Sequence, residues 1–242
     1  YIADPYADKI LDPDDQYIPE TLYPDLKPFP QQALRDKGYF NRVAVLQTAQ
    51  EPYNWEVADF SKPAKEELVI YELLIRDFFA GNQRTYQNLI DTVSYLKRLG
   101  VNAVELMPIM EFNGNESWGY NPTFMFAPDK YYGTKNTLKA FIDECHKEGI
   151  AVILDITMNH HDIPNPYLMM DYNFTSFKPT ASNKWFNTEA KHPFNVFSDM
   201  NHESPYTQAY LDTVNYYWLR EYNVDGFRFD LSKGFTQKET GG

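Results

Sequence analysis

The chain has 242 residues, enough for one large domain or two smaller ones, and 43% of them are hydrophobic, as a packed core requires. Its 34 acidic against 22 basic residues give a net charge of −12, which argues against nucleic acid as a partner and offers no basic patch to anionic lipid. The single cysteine, Cys145, excludes an internal disulfide, and no apolar run reaches the ~18 residues that a membrane span needs.

Residues 1–66 are rich in Pro, Asp and Tyr. Asp12-Pro13-Asp14-Asp15 and Tyr23-Pro24-Asp25 are turn chemistry, because Pro fixes φ and Asp bonds its own backbone. A short alternating run at 42–47, followed by 53–60, reads as the end of a β-rich module and a linker. Pro63-Ala64-Lys65-Glu66 marks the expected boundary.

From residue 68 the pattern alternates. Residues 68–76 form an apolar run expected to be a buried strand. Residues 85–99 carry Leu89, Ile90, Val93, Leu96 and Leu99 at helical spacing, with Gly100 as the stop. A second strand is expected at 101–107, a helix at 136–148 closed by Gly149, and a third strand at 150–157. Cys145 lies on the apolar side of that helix, as a buried, inert thiol would. A third helix follows at 206–222 and a fourth strand at 224–230.

Buried strands alternating with amphipathic helices predict an α/β fold with a parallel sheet. No Gly-rich phosphate loop follows the first strand, which disfavours a nucleotide fold. A partial (β/α)8 TIM barrel remains, with strands 1–4 present, because a whole barrel takes about 250 residues. Residues 67–242 would be the first half of that domain, with an irregular insert at about 161–204.

In a barrel, chemistry gathers at the C-terminal ends of the strands. In Gly226-Phe227-Arg228-Phe229-Asp230, residues two apart share a face, so Arg228 and Asp230 stand together. An adjacent guanidinium holds a carboxylate ionised, and a positioned carboxylate can attack an anomeric carbon. Such a pair alone serves structure more often than catalysis. Asp155-Ile156-Thr157-Met158-Asn159-His160 ends the third strand in a polar burst. Asp155 could lock Arg228 or cap a loop; His160 could bond a sugar hydroxyl or face solvent. Trp118-Gly119-Tyr120-Asn121-Pro122 follows the second strand, where Tyr120 could support a pyranose ring or pack the loop. The aromatic content of 17% suits either a carbohydrate site or a large core.

Taken together and in this order, the three segments resemble the α-amylase family, family 13 of the glycoside hydrolases. Asp155 with Asn159-His160 matches its first signature and Gly226–Asp230 its second; Asp199-Met200-Asn201-His202-Glu203 is similar to the short signature before the fourth strand. The resemblance covers about residues 66–236. It implies cleavage of α-1,4 bonds in starch- or glycogen-type polysaccharide, or maltooligosaccharides, with retention. Asp230 would be the nucleophile, Arg228 would orient it, and Asp155 would support Arg228. His160 would bond the hydroxymethyl group of the sugar at the cleavage subsite, and Tyr120 would stack beneath it. Asn159 is the position that ligates a structural Ca²⁺ in many members, with Asp199 as a further candidate; no cofactor is implied for the chemistry. Many amylases have Lys-His after the nucleophile, whereas here Lys233 precedes Gly234. The acceptor-subsite and Ca²⁺ contacts of that His are therefore in question, while Lys233 can still reach substrate.

The family's general acid is a Glu after the fifth strand, beyond this chain, and Glu239 is not assigned to that role. The 242 residues alone are therefore expected to be inactive. Two other activities stay open: a 1,4-α-glucan branching transferase, and a catalytically inert glucan-binding protein. The opening Tyr1-Ile2-Ala3-Asp4-Pro5, Phe126-Ala127-Pro128 and Tyr132-Gly133-Thr134 resemble members with an N-terminal β-sandwich module, among them exported bacterial proteins. That resemblance implies an extracytoplasmic or secreted location.

Overall fold

In the computed structural model, residues 2–33, 41–81 and 83–238 are described. Tyr1 and Glu239 lie outside them. Four parallel strands, β1 (Ile70–Leu73), β2 (Ala103–Leu106), β3 (Ala151–Thr157) and β4 (Gly226–Asp230), lie side by side in chain order. Their register pairs Ile70 with Ala103, Ala103 with Ala151, and Ile153 with Gly226. A doubly wound sheet reverses strand order at a switch point. This sheet does not, and it is part of a (β/α)8 barrel wall.

Alternation along each strand separates two environments. Val152, Leu154 and Ile156 of β3 join the main hydrophobic core, while Asp155 and Thr157 project to the other face. Helices cover the core side. Helix α1 (Tyr86–Ile90) starts at Thr85, whose hydroxyl accepts from the Asn88 amide, and α2 (Val93–Leu99) stops at Gly100, φ +80°. The sequence pattern predicts one helix here. Thr92 interrupts it: its hydroxyl bonds the Asn88 carbonyl at 2.7 Å, a local alternative to the helical ladder. Helix α3 (Lys135–Lys147) is capped by Thr134 and buries Leu138, Phe141, Ile142 and Cys145. Burial pushes the Cys145 thiol well above its ordinary pKa, as expected of an inert cysteine. Helix α4 (Pro205–Glu221) opens on Pro and buries Tyr210, Leu211, Val214 and Trp218.

The first strand is shorter than the apolar run suggests. After Leu73 the run closes a helical turn, Ile75–Phe78, whose Ile75 enters the core. Between β2 and α3, Met110–Phe112 pairs with Pro122–Pro128, and this hairpin carries Tyr120 at its tip. Between β3 and α4 the chain makes short antiparallel pairs; one sets His160 opposite Asp199. In the N-terminal segment, Ile10–Leu11 pairs with Val43–Ala44, and residues 51–60 hold no regular element. The segment is tied to the barrel by charge. Buried Lys130 lies 3.5 Å from Asp12 and 3.3 Å from Asp15, and pairs directly with Glu111.

Candidate active site

The strand register sets Arg228 directly beside Asp155. Arg228 Nη1 donates to both Asp155 oxygens at 3.1 Å and to Asp230 Oδ1 at 2.7 Å. One nitrogen thus ties the two carboxylates together across adjacent strands. Asp230 Oδ2 has no hydrogen-bond partner among the described residues, so a lone pair is available there. Immediately after Asp230, Leu231 takes a left-handed conformation (φ +49°) and turns the chain into Ser232–Thr236.

Tyr120 joins the same cluster through a 2.6 Å hydrogen bond from its hydroxyl to Asp155 Oδ2. Gly119 makes that placement possible. Its φ is +91°, and a Cβ there would sit 2.2 Å from the Pro108 carbonyl oxygen. His160 Nε2 donates to the Tyr120 carbonyl at 2.9 Å, and its Nδ1 accepts from the Asn159 amide at 3.1 Å. The buried imidazole therefore links the end of β3 to the Tyr120 loop, with exposed Phe197 tilted against it at 5.6 Å between ring centroids.

Lys233 is not drawn into this cluster. It is exposed, with Nζ 5.6 Å above the Phe194 ring. Asn159 is fully buried, and its side-chain amide nitrogen donates to the Phe194 carbonyl at 3.2 Å as well as to His160.

Burial drives the shifts of Asp155, Tyr120 and His160. It raises the Asp155 carboxyl pKa, against the lowering effect of Tyr120 and Arg228. It also raises the Tyr120 phenol, with the Asp155 bond adding to it. For Arg228, partial burial opposes the charge, yet Asp230 and Asp155 raise its pKa above the ordinary guanidinium value. Burial lowers the His160 pKa, keeping the ring neutral.

Two inward acids escape the motif analysis. Glu72 of β1 and Glu105 of β2 pair in register, and with Asp155 they bring three carboxylates together, with oxygens within 4.8 Å of one another. Burial, then Asp155 and Glu72, raises the Glu105 pKa. Their signal in sequence is a lone charge inside each apolar run.

A calcium ion at Asn159 would need six to eight oxygen ligands at about 2.3–2.6 Å. Asn159 Oδ1 is buried without a partner, which by itself invites a cation. The surroundings do not fit one. A Cβ on Gly234 would lie 1.7 Å from that oxygen and 2.7 Å from His192 Cε1, so backbone and imidazole already crowd it. Both oxygens of Asp199 accept N–H bonds, from His192 and Asn187.

The chain is 32% identical over 233 residues to a malto-oligosyltrehalose trehalohydrolase of Saccharolobus solfataricus, covering 95% of the chain and 35% of that protein. It is 35% identical over 146 residues to a 1,4-alpha-glucan branching enzyme of Shewanella baltica, covering 60% of the chain and 19% of that protein. The chain spans about a third of the length of the first relatives it matches. Among solved structures, the type I pullulanase of Bacillus subtilis complexed with maltose superposes with a TM-score of 0.65 at 29% identity, over 96% of this chain and 33% of that one. The family model of the alpha amylase catalytic domain matches residues 75–198, more than half of the sequence, and the chain belongs to the α-amylase family.

Proposed function

We propose that this chain supplies the nucleophile side of a retaining α-glucan-active site, acting on α-1,4 bonds of starch- or glycogen-type polysaccharide or maltooligosaccharides. The observation that carries this reading is the Arg228 bridge between Asp155 and Asp230 at the C-terminal ends of β3 and β4. In this reading Asp230 Oδ2 attacks the anomeric carbon and the glycosidic oxygen leaves, giving a covalent glycosyl-enzyme. Arg228 holds the carboxylate in position. Asp155, fixed by Tyr120, holds Arg228. The Tyr120 ring supports the sugar, His160 keeps that ring in place and borders the hydroxymethyl group, and Lys233 sits at the edge toward the acceptor. A general acid stands about 5–5.5 Å from the nucleophile in retaining enzymes; it is not assigned to any residue of this chain. Calcium is no part of this reading, given the surroundings of Asn159.

Residues 67–242 are read as the first half of the catalytic domain, with 161–204 as its insert and 1–66 as the end of a preceding module. The test uses the full-length protein that contains this chain. Maltoheptaose should be cleaved with an α-anomeric product visible by NMR. Asp230→Asn should lower kcat about 10⁴-fold or more while leaving the fold intact. Retention of more than about one per cent of wild-type turnover would remove Asp230 from the nucleophile's role. New α-1,6 branches in the products would identify a sugar hydroxyl, in place of water, as the acceptor.

A further inference from the structure

Between β3 and α4 the chain buries an imidazole against a carboxylate. The His192 and Asp199 side chains are 0% and 1% exposed, and Nε2 lies 2.7 Å from Asp199 Oδ1. The Phe194 amide donates to His192 Nδ1 at 3.2 Å, which leaves the ring proton on Nε2, facing the carboxylate. Asp199 Oδ2 accepts from Asn187 Nδ2 at 2.7 Å, and Nδ2 also donates to Gln237 Oε1 at 2.6 Å. Gln237 donates back to the Gly234 carbonyl at 3.1 Å.

We propose that His192 takes the place of a structural cation in this chain, so that the rim is held by an all-protein clasp and needs no calcium. The clasp joins three segments: the end of β3 at Asn159, the stretch 187–199, and the turn 231–237 that follows Asp230. A metal at this point would gather oxygen atoms from those same segments. Here N–H groups present their positive ends to Asp199 from both sides, and a cation approaching the carboxylate would oppose them. The imidazole edge fills the space beside Asn159 Oδ1.

The clasp also explains Gly234. Its φ lies in the ordinary negative range, so no special backbone conformation demands glycine; the demand is space. Any side chain there would run into Asn159 Oδ1 and His192 Cε1. The His that many α-amylases carry after the Lys cannot coexist with His192 in this arrangement. His192 is thus a positioning residue. It reaches the proposed nucleophile only through the 231–237 turn.

Metal analysis and thermal unfolding of the full-length protein test this. After dialysis, wild type and Asp199→Asn should hold the same amount of calcium, and neither EDTA nor added calcium should move the wild-type midpoint by more than about 1 °C. His192→Ala should lower the midpoint by roughly 4–8 °C, because Asp199 is left with an unpaired buried oxygen. His192→Gln keeps an N–H for that oxygen and should recover at least half of the loss. One calcium per chain that Asp199→Asn abolishes would overturn the proposal, and so would a His192→Ala protein that melts with wild type. If His192→Ala does not fold, the calcium content of wild type and the midpoint of His192→Gln decide the matter.

Discussion

Arg228 holds Asp230 with the nitrogen that it also commits to Asp155, at 2.7 Å to the first and 3.1 Å to each oxygen of the second. The position of the proposed nucleophile thus depends on a carboxylate that lies on the neighbouring strand and is itself fully buried.

A lysine cannot reproduce this bridge, because all three bonds come from Nη1 and a lysine side chain ends one bond short of that atom's position. Arg228→Lys in the full-length protein should reduce kcat/KM about 10²–10³-fold. Its side chain is 45% exposed, so the unfolding midpoint should stay within about 3 °C of wild type. Steady-state kinetics beside a thermal melt separates the two effects. A loss of activity that merely tracks a loss of fold would contradict the positioning role.

Gly119→Ala acts from the other side of the cluster. The methyl group would overlap the Pro108 carbonyl, and the positive φ adds strain of its own. We expect a loss of roughly 2–4 kcal/mol and displacement of Tyr120 from Asp155. Chemical denaturation measures the first. The second should appear as a rise in KM for maltooligosaccharide at temperatures where the variant is fully folded.

Among the described residues, Lys130 is the ammonium buried among Asp12, Asp15, Glu111 and Asp129, and even with the Arg42 charge near Asp12 it cannot neutralise them all. Burial is the main force that raises Asp15 to about 6 and Asp129 to about 7, each from an ordinary 3.8. Because these folded-state values lie above the unfolded one, the stability the two groups contribute is full below about pH 4 and is lost as the pH rises through 6 to 7. Lys130→Met removes the shared cation. It should cost roughly 3–5 kcal/mol, and more at pH 8 than at pH 5, where part of the cluster is protonated. Urea unfolding at the two pH values reads this directly. Equal losses at both would mean that the carboxylates do not titrate in the folded protein.

The four strand–helix units are legible because each strand reads as a short apolar run, although only Ala103–Leu106 and Ala151–Thr157 are mostly buried here, and a covering helix repeats every three or four residues. Asp155, Arg228 and Asp230 are legible because a charge at the end of an apolar strand has one place to go, the rim. Thr92 is not, since periodicity cannot register a hydroxyl that competes with the backbone. Glu72 and Glu105 hide inside strands whose other residues mark them as core. His192 lies in a stretch with no period at all, and its partners Asn187, Asp199 and Gln237 carry no spacing rule. Lys130 and Asp12 stand 118 positions apart, and only the folded chain brings them together. Apart from the local Thr92–Asn88 bond, these are pairings that only the folded chain makes, and local pattern does not encode them.

Three consecutive side chains at the end of β3 each leave in a different direction. Asn159 goes to the Phe194 carbonyl, His160 to the Tyr120 carbonyl, and His161 accepts from the Asn165 amide, which also holds the Thr123 carbonyl. Loosening any one of these loops exposes a buried polar group on the same short stretch. Their openings are therefore thermodynamically coupled, and the rim around Asp230 would breathe as one cooperative unit whose motion is governed by residues 159–161 acting together.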